Sequence, residues 1–211
     1  LKLYKTKTGN YYLPFFAFRD VVRNTIIENQ IFDHDVYEIS KKFIKENSIV
    51  IDAGANYGQY SILFSKVKED VEVYSFEANY FVYKILNKNV KINNANVKTF
   101  NNLLGDVSKS IVNVEKIKLQ TADYGSQSFK IKSGKNTDKI QAIKLDDFIF
   151  EKKISLLKVD VEGMDYNVLL GAKNTIIRNK MPIIFEFIKS KSQYSFQHFE
   201  NFIDEINYFI E

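Results

Sequence analysis

The sequence predicts an α/β protein built on a doubly wound, mostly parallel sheet. Three observations indicate this fold class. Apolar runs at 49–51, 71–76 and 154–159 have the length and composition of strands that are covered on both faces. Apolar residues at helical spacing follow the first two runs. A glycine turn follows the first run and an acid ends the second, as in doubly wound folds that bind ligands at the carboxyl edge of the sheet.

The stretch 48–61 predicts a buried strand, a tight turn and the first turn of a helix. Gly54 permits a sharp turn after the strand, and Gly58 permits a ligand to approach the helix start closely. Asn56, between them, is among the few residue types that tolerate a left-handed backbone. Free backbone N–H groups at the start of a helix favour an anionic group such as a carboxylate or a phosphate. The stretch therefore predicts a ligand-binding turn.

The second predicted strand ends in Glu77. An acid at this position hydrogen-bonds ribose hydroxyls in doubly wound folds, so the sequence predicts a nucleoside-containing ligand. The turn lacks the middle and third glycines of the dinucleotide fingerprint G-x-G-x-x-G, which makes it a poorer cradle for a pyrophosphate. An amino-acid carboxylate and ammonium, with Asp52 nearby, suit it better. S-adenosylmethionine is the cofactor that this interpretation favours, and NAD is the alternative.

Seven motifs occur along the chain in a characteristic order. They occupy residues 52–61, 76–79, 104–106, 145–147, 159–165, 168–172 and 184–186. Together they resemble the FkbM family of S-adenosylmethionine-dependent methyltransferases, over most of the chain, and the string 158–172 is the most specific part. Ala78 stands where the family usually has proline and Asp165 where it usually has glutamate, and neither change removes a carboxylate.

The resemblance implies the Rossmann-like fold of class I methyltransferases and transfer of a methyl group to an acceptor hydroxyl. The expected acceptor is a sugar hydroxyl of a glycan or glycoconjugate. A lipid, a small molecule or a protein is the alternative acceptor, and an NAD-dependent oxidoreductase is the alternative from another class. The domain is also expected to be fused to glycosyltransferase domains or to work with them.

The residues expected to bind the cofactor lie in the glycine turn and at the ends of the second, third and fourth strands. They are Asp52, Gly54, Ala55, Asn56, Tyr57, Gly58, Ser61, Glu77, Ala78, Asn79, Leu104, Asp106 and Asp160. By resemblance, the loop 104–106 flanks the adenine, with Asp106 as a partner for its amino group; a plain turn at Gly105 is the alternative.

Three carboxylates crowd into six residues after the predicted fourth strand, namely those of Asp160, Glu162 and Asp165. Like charges held this close raise one another's pKa or recruit a cation. Asp160 is the first candidate for the base that deprotonates the acceptor, followed by Glu162 and then by His34, which directly precedes a helix predicted over 35–46. Asp160 and Glu186 are also candidates to hold a divalent cation. The sequence does not decide whether the protein uses one.

Residues 108–144 do not fit the alternation of strands and helices and predict an antiparallel β insertion between the third and fourth strands. Tyr124, Ser126 and Gln127 are candidates to contact the acceptor there, as is Glu186 at the end of the fifth strand. The segment 109–144 carries eight lysines against three acids. This excess fits either a solvated hairpin face or a surface that receives an anionic acceptor.

Length and composition are consistent with a single domain over 1–211, with a lead-in or lid over 1–46 and a catalytic core over 47–211. Hydrophobic content of 45% is typical of a globular enzyme. The aromatic lead-in could form a wall over the acceptor or a satellite core. The start at Leu1 suggests a domain excised from a longer chain.

Composition also excludes several functions. The chain has no cysteine and two histidines, so it predicts neither a disulfide framework nor a multi-histidine zinc site. The net charge of +4 is mild, and the motif with which this fold methylates flipped bases is absent after the fourth strand, so no nucleic-acid partner is expected. No apolar run is long enough to span a membrane, and a cytoplasmic protein is expected.

Overall fold

The computed structural model describes residues 1–108, 110–115, 137–187, 190 and 192–209. The strands in chain order are β1 (Lys2–Thr6), β2 (Gly9–Leu13), β3 (Ile49–Ala53), β4 (Glu72–Phe76), β5 (Val97–Phe100), β6 (Leu103–Leu104), β7 (Ser110–Glu115), β8 (Thr137–Ile143), β9 (Ile154–Val159) and β10 (Ile183–Phe185). The helices are α1 (Val21–Ile27), α2 (His34–Phe43), α3 (Gln59–Phe64), α4 (Tyr80–Ile92), α5 (Asp165–Gly171), α6 (Lys173–Asn179) and α7 (Phe196–Glu205), and a 3₁₀ turn spans Leu145–Asp147.

Five strands form the central sheet in the order β10-β9-β3-β4-β5, and every neighbouring pair is parallel. The chain builds outward from β3 to β5 and then returns to place β9 on the other side of β3. The direction of winding therefore reverses between β3 and β9, which is where doubly wound sheets bind ligands. The predicted α/β class with a mostly parallel sheet is confirmed.

Strand β3 is buried along its whole length because helices cover both faces of the sheet. Ile49 and Ile51 point into a cluster that includes residues of α5, α6 and α7. Val50 points to the opposite face, where it packs with Leu156 and Phe64. This alternation follows from the period of two along a strand, and it places Asp52 on the same face as Val50.

The segment after β5 departs from the alternation as predicted. Strands β7 and β8 pair antiparallel over six residue pairs, and β6 joins the other side of β8 in parallel. Within the described residues, the predicted antiparallel insertion between the third and fourth sheet strands is confirmed. The candidate acceptor residues Tyr124, Ser126 and Gln127 lie outside the described residues.

The lead-in begins with the hairpin of β1 and β2, which packs on α4. Asn89 Oδ1 accepts from the backbone N–H of Tyr12 at 2.6 Å, and Asn93 Oδ1 accepts from that of Asn10 at 2.9 Å. Tyr11 and Leu13, on either side of Tyr12 in β2, are buried in a cluster with α1 and α4. These side chains belong to the core, and a lid or wall formed by the lead-in stays a prediction. None of the described helices combines the length and the apolar character that a membrane crossing requires.

Candidate functional site

The turn after β3 has the backbone that its sequence predicts. Gly54, Asn56 and Gly58 all have left-handed φ values, of 80°, 51° and 88°. The N–H groups of Gly54 and Ala55 both donate to the carbonyl of Phe76 at 3.0 Å, which ties the turn to the end of β4. A Cβ on Gly54 would lie 1.8 Å from the carbonyl oxygen of Asp160. Only glycine therefore permits the tips of β3 and β9 to approach this closely.

Glu77 follows β4 and is buried against the same turn. Its Oε2 accepts from the N–H of Asn56 at 3.0 Å, and its Oε1 accepts from the N–H of Asn79 at 2.8 Å. Burial raises the pKa of the Glu77 carboxyl to about 7, although the two N–H donors oppose the shift. Each carboxylate oxygen has a second lone pair, so Glu77 keeps the capacity to accept from a ligand.

Asn79 is the N-cap of α4 and has one unsatisfied donor. Its Oδ1 accepts from the backbone N–H groups of Phe81 and Val82, which leaves Nδ2 as the remaining donor of the side chain. The side chain is buried, and Nδ2 has no hydrogen-bond partner among the described residues. A buried amide donor without a partner costs free energy, so this atom is a candidate to donate to a bound ligand.

Asp52 lies beneath the turn with no exposed surface. Its Oδ2 accepts from Ser61 Oγ at 2.6 Å, and a bond of 2.8 Å joins the hydroxyls of Ser75 and Ser61. Its Oδ1 faces the ammonium of Lys158 at 3.4 Å. These contacts make Asp52 and Ser61 supports of the turn, and their direct contact with a cofactor stays a prediction. Tyr57 is also buried, where its hydroxyl donates to Asp20 Oδ2 at 2.7 Å.

Lys158 is the central residue to which the sequence analysis assigned no role. Its Nζ lies 3.4 Å from a carboxylate oxygen of Asp52, 3.4 Å from Asp160 Oδ2 and 5.2 Å from the ring centroid of Tyr60. Burial alone lowers the pKa of Lys158, but the two carboxylates outweigh it and raise that pKa above its usual value. The ammonium is therefore charged at neutral pH. A lysine inside a strand whose other residues are apolar except for Ser155 was the signal available in the sequence.

Asp160 lies at the tip of β9, where its backbone N–H donates to the carbonyl of Ala53 at 3.0 Å. Its side chain is partly exposed, and Lys158 contacts its Oδ2. Glu162 follows in a left-handed turn with φ of 55°. Asp165 closes this loop, because its carboxylate accepts from the N–H of Val161 at 3.3 Å and of Gly163 at 3.2 Å. Of the three crowded acids, Asp165 thus has a structural role.

The loop before α2 brings a further acid to the site. Gln59 accepts from the N–H of Phe32 at 3.0 Å, and the hydroxyl of Tyr60 lies 2.7 Å from the carbonyl oxygen of Asp33. Burial raises the pKa of Asp33, and the negative charge of Asp160 adds to this shift while the positive charge of Lys158 opposes it. The sequence alone gave no reason to place Asp33 at the site. The side chain of His34, the next residue in the chain, is 60% exposed on the first turn of α2.

The other predicted residues have these positions. The ring of His34 lies 3.7 Å and 3.9 Å from acids of α2 itself, and its role as a base stays a prediction. Leu104 is buried in β6, and Asp106 is half-buried in the loop that follows. Ala78 accepts from Asn101 through its backbone carbonyl at 3.1 Å. Glu186 is exposed, and its backbone N–H donates to the carbonyl of Val159 at 3.3 Å beside Asp160.

The described part of the chain contains no group of three or more histidine, aspartate and glutamate side chains that could hold a metal ion. The divalent cation between Asp160 and Glu186 stays a prediction from the sequence.

The fold and site together define a class I methyltransferase domain: a doubly wound sheet with a glycine turn after its first strand, a buried acid after its second and carboxylates at the tip of its fourth. The sequence matches the family model described as "Methyltransferase FkbM domain" over residues 52–210. The chain belongs to the FkbM methyltransferase domain family, which confirms the resemblance seen in the sequence. No curated protein matches the chain significantly.

Solved structures of methyltransferases have a similar fold. An FkbM methyltransferase from Methylobacillus flagellatus KT is 17% identical with a TM-score of 0.52, and the match covers 77% of this chain and 38% of that one. A precorrin-6y C5,15-methyltransferase from Geobacter metallireducens GS-15 is 13% identical with a TM-score of 0.49, over 84% of this chain and 73% of that one. A tRNA (m1A58) methyltransferase from Aquifex aeolicus is 18% identical with a TM-score of 0.46, and the match covers 83% of this chain and 53% of that one. This chain thus spans less than half of the FkbM structure, and at 17% identity the similarity to that structure concerns the fold.

Proposed function

We propose that this domain transfers a methyl group from S-adenosylmethionine to an acceptor hydroxyl, and that the acceptor is a sugar of a glycan or glycoconjugate. The observation that carries the proposal is the arrangement after β4. There the buried carboxylate of Glu77 and the unsatisfied Nδ2 of Asn79 lie beside the left-handed turn at Asn56. Family membership supports methyl transfer, and the sugar acceptor rests on the resemblance alone.

The residues present fit this cofactor. A ribose diol offers two hydroxyl donors, and Glu77 has acceptor capacity for them. The donor of Asn79 suits a ring nitrogen or a ribose oxygen, which would satisfy it. Both residues follow β4 at the carboxyl edge of the sheet, and the reversal of winding between the neighbouring β3 and β9 supports ligand binding at this edge. The N–H groups of Ala55, Asn56 and Gly58 are already bonded within the protein, so the part of this turn that would contact the amino-acid end is its carbonyl oxygens, which keep lone pairs for the ammonium.

When bound, the cofactor supplies an electrophilic methyl group on a sulfonium. The chain's part is to align the acceptor oxygen with that carbon and to take the hydroxyl proton. Correct alignment of the two reacting atoms can by itself lower the activation barrier by roughly 7–11 kcal/mol. We assign the proton to the carboxylate of Asp160, which is partly exposed at the tip of β9. The proton of the acceptor hydroxyl would pass to Asp160 while the oxygen receives the methyl group that the cofactor supplies. A neutral thioether and a protonated carboxyl would remain, so atoms and charge balance.

We assign Lys158 a positioning role in this step. Its ammonium lies between Asp52 below the turn and Asp160 at the strand tip, and it contacts both at 3.4 Å. It therefore orients Asp160 and couples that residue to the cofactor turn. Asp33 contributes a second negative charge near Asp160, which favours the cationic cofactor electrostatically.

Cofactor binding tests the proposal directly. Calorimetric titration is expected to give micromolar affinity for S-adenosylmethionine and none for NAD. Because the pKa of Glu77 is about 7 and the ionised carboxylate is the better ribose acceptor, affinity should increase about tenfold from pH 6 to pH 8. Because burial raises this pKa, the free energy of unfolding of the cofactor-free chain should decrease as the pH increases towards 7, where Glu77 ionises inside the fold.

The variant Glu77→Gln should weaken binding by about tenfold or more and lose this part of the pH dependence. Glu72→Gln is the matched control, because Glu72 lies at the other end of β4 and pairs with Lys98 at 2.8 Å. Equal affinities for both variants would contradict the assignment of Glu77, and affinity for NAD alone would contradict the cofactor.

Asp160→Asn is expected to lower the rate of methyl transfer by about 10²–10⁴-fold, because the amide cannot take the hydroxyl proton. Affinity for S-adenosylmethionine should remain within about tenfold, since the amide preserves the shape of the side chain. The acceptor is first found by screening saccharides with a methyl-labelled cofactor. Glu162→Gln, on the same loop, is the control and should lose less activity. Full activity of Asp160→Asn would remove Asp160 as the base.

A further inference from the structure

The loop between β2 and α1 exposes apolar side chains on a rigid backbone. Phe15 is 57% exposed and Phe18 is 72% exposed, and Val21 follows at 57%. The buried guanidinium of Arg23 donates to the carbonyl of Pro14 at 2.6 Å. The loop is therefore held in place with its phenylalanines toward solvent, although such side chains usually pack inside.

Hydrogen bonds fix the end of this loop as well. Asn24 Nδ2 donates to the carbonyl of Phe18 at 2.8 Å. Asp20 Oδ1 accepts from the N–H of Arg23 at 2.8 Å and so caps α1, while its Oδ2 accepts from Tyr57 in the cofactor turn. The exposed loop is thus joined directly to the turn.

Most of the exposed charges around this loop are positive. Lys2, Lys5, Lys7 and Arg19 are exposed, while the two acids between residues 1 and 28 are the fully buried Asp20 and the exposed Glu28 at the end of α1. Exposed phenylalanines therefore lie within a segment whose accessible charges are mostly positive.

Helix α4 extends the positive charge, because it packs on β2 and contains no acid. Lys84, Lys88 and Lys91 are exposed at a spacing that places them on one face of the helix. The ammonium of Lys88 lies 5.6 Å above the ring of Tyr12 in β2. The hairpin, the loop and α4 thus combine exposed aromatic rings with lysines.

We propose that this surface docks on an anionic lipid membrane. The phenylalanines of the loop would enter the boundary of the acyl chains, and the lysines of the hairpin and α4 would contact lipid phosphates. Each lysine or arginine near an anionic bilayer contributes on the order of 1 kcal/mol, and a few apolar side chains add to this. Protruding phenylalanines beside the lysines favour a bilayer over a nucleic acid, which would be contacted by charge and by stacking on flat aromatic faces.

Docking would bring the cofactor turn to an acceptor carried by the membrane, through the bond between Asp20 and Tyr57. That consequence rests on the proposed function, whereas docking itself does not. Vesicle binding and cofactor binding are measured separately, so either can fail alone.

Co-sedimentation of the full chain with lipid vesicles tests the proposal. Vesicles of phosphatidylcholine with about 30% phosphatidylglycerol should bind the chain about tenfold or more tightly than phosphatidylcholine alone. Salt at about 0.5 M should remove most of this difference by screening. The double variants Phe15→Ser/Phe18→Ser and Lys84→Glu/Lys88→Glu should each bind about tenfold or more weakly.

Two control variants change similar side chains elsewhere. Ile149→Ser removes an apolar side chain that is 92% exposed, and Lys42→Glu/Lys45→Glu reverses two exposed charges at the end of α2. Both should bind as the unchanged chain does, and circular dichroism checks the fold of every variant. Four outcomes would overturn the proposal: no vesicle binding, equal binding to neutral vesicles, binding of a single-stranded oligonucleotide alone, or dimerisation through the loop without vesicle binding.

Discussion

Replacing Gly54 with alanine is expected to lower the free energy of unfolding by more than about 3 kcal/mol and to abolish cofactor binding. The added Cβ would lie 1.8 Å from the backbone oxygen of Asp160, and a backbone atom cannot move aside as a flexible side chain can. The φ of 80° adds strain for any other residue. Relief of the clash requires the tips of β3 and β9 to separate, which also pulls apart the contacts of Lys158.

Denaturant unfolding and calorimetry with S-adenosylmethionine measure both effects. Gly105→Ala is the matched control, because a Cβ there meets no atom within 4 Å and its φ is not left-handed. That variant should unfold within about 0.5 kcal/mol of the unchanged chain. If the two variants have the same stability, β3 and β9 do not approach each other as closely at Gly54 as the structure shows.

Lys158→Met is expected to destabilise the fold by about 3–5 kcal/mol, because it leaves the fully buried Asp52 without its compensating charge. The matched control is Lys173→Met, which removes a surface ion pair with Glu205 and should cost no more than about 1 kcal/mol. Urea unfolding of both variants gives the comparison.

A second substitution separates charge from packing at Lys158. The double variant Lys158→Met/Asp52→Asn removes both charges and should be more stable than the sum of the single changes predicts, by about 1–3 kcal/mol. The readout is again the free energy of unfolding in urea, which does not depend on methyl transfer. Additive losses would mean that Lys158 contributes through packing, and its role in holding Asp52 would be withdrawn.

Much of the fold follows from local patterns. The strand, turn and helix at 48–64 were predictable because each depends on neighbouring residues: an apolar run, glycines where φ is positive, and an amphipathic helix. The antiparallel insertion was predictable because short β runs there interrupt the alternation of strands and helices. The hairpin of β1 and β2 was not predicted, since its aromatic residues fit a loop as well as a strand.

The candidate site was predictable only in part. Glu77 and Asp160 could be placed because the ends of parallel strands meet at one edge of a sheet. The role of Lys158 was not, because a lysine in a strand has no charge partner in the local sequence. Asp33 was missed for a similar reason: Gln59 and Tyr60, from α3, bind the loop that carries it.

By itself, the sequence determined the family, the α/β class and the left-handed turn, since these depend on residue types at short spacing. Only the tertiary structure decided that Lys158 neutralises Asp52 and reaches a turn 104 residues earlier in the chain. It also decided that Phe15 and Phe18 face solvent while Tyr11 and Leu13 are buried. The physical reason is the same in each case: which strands become neighbours, and which faces are covered, is settled by packing between distant segments.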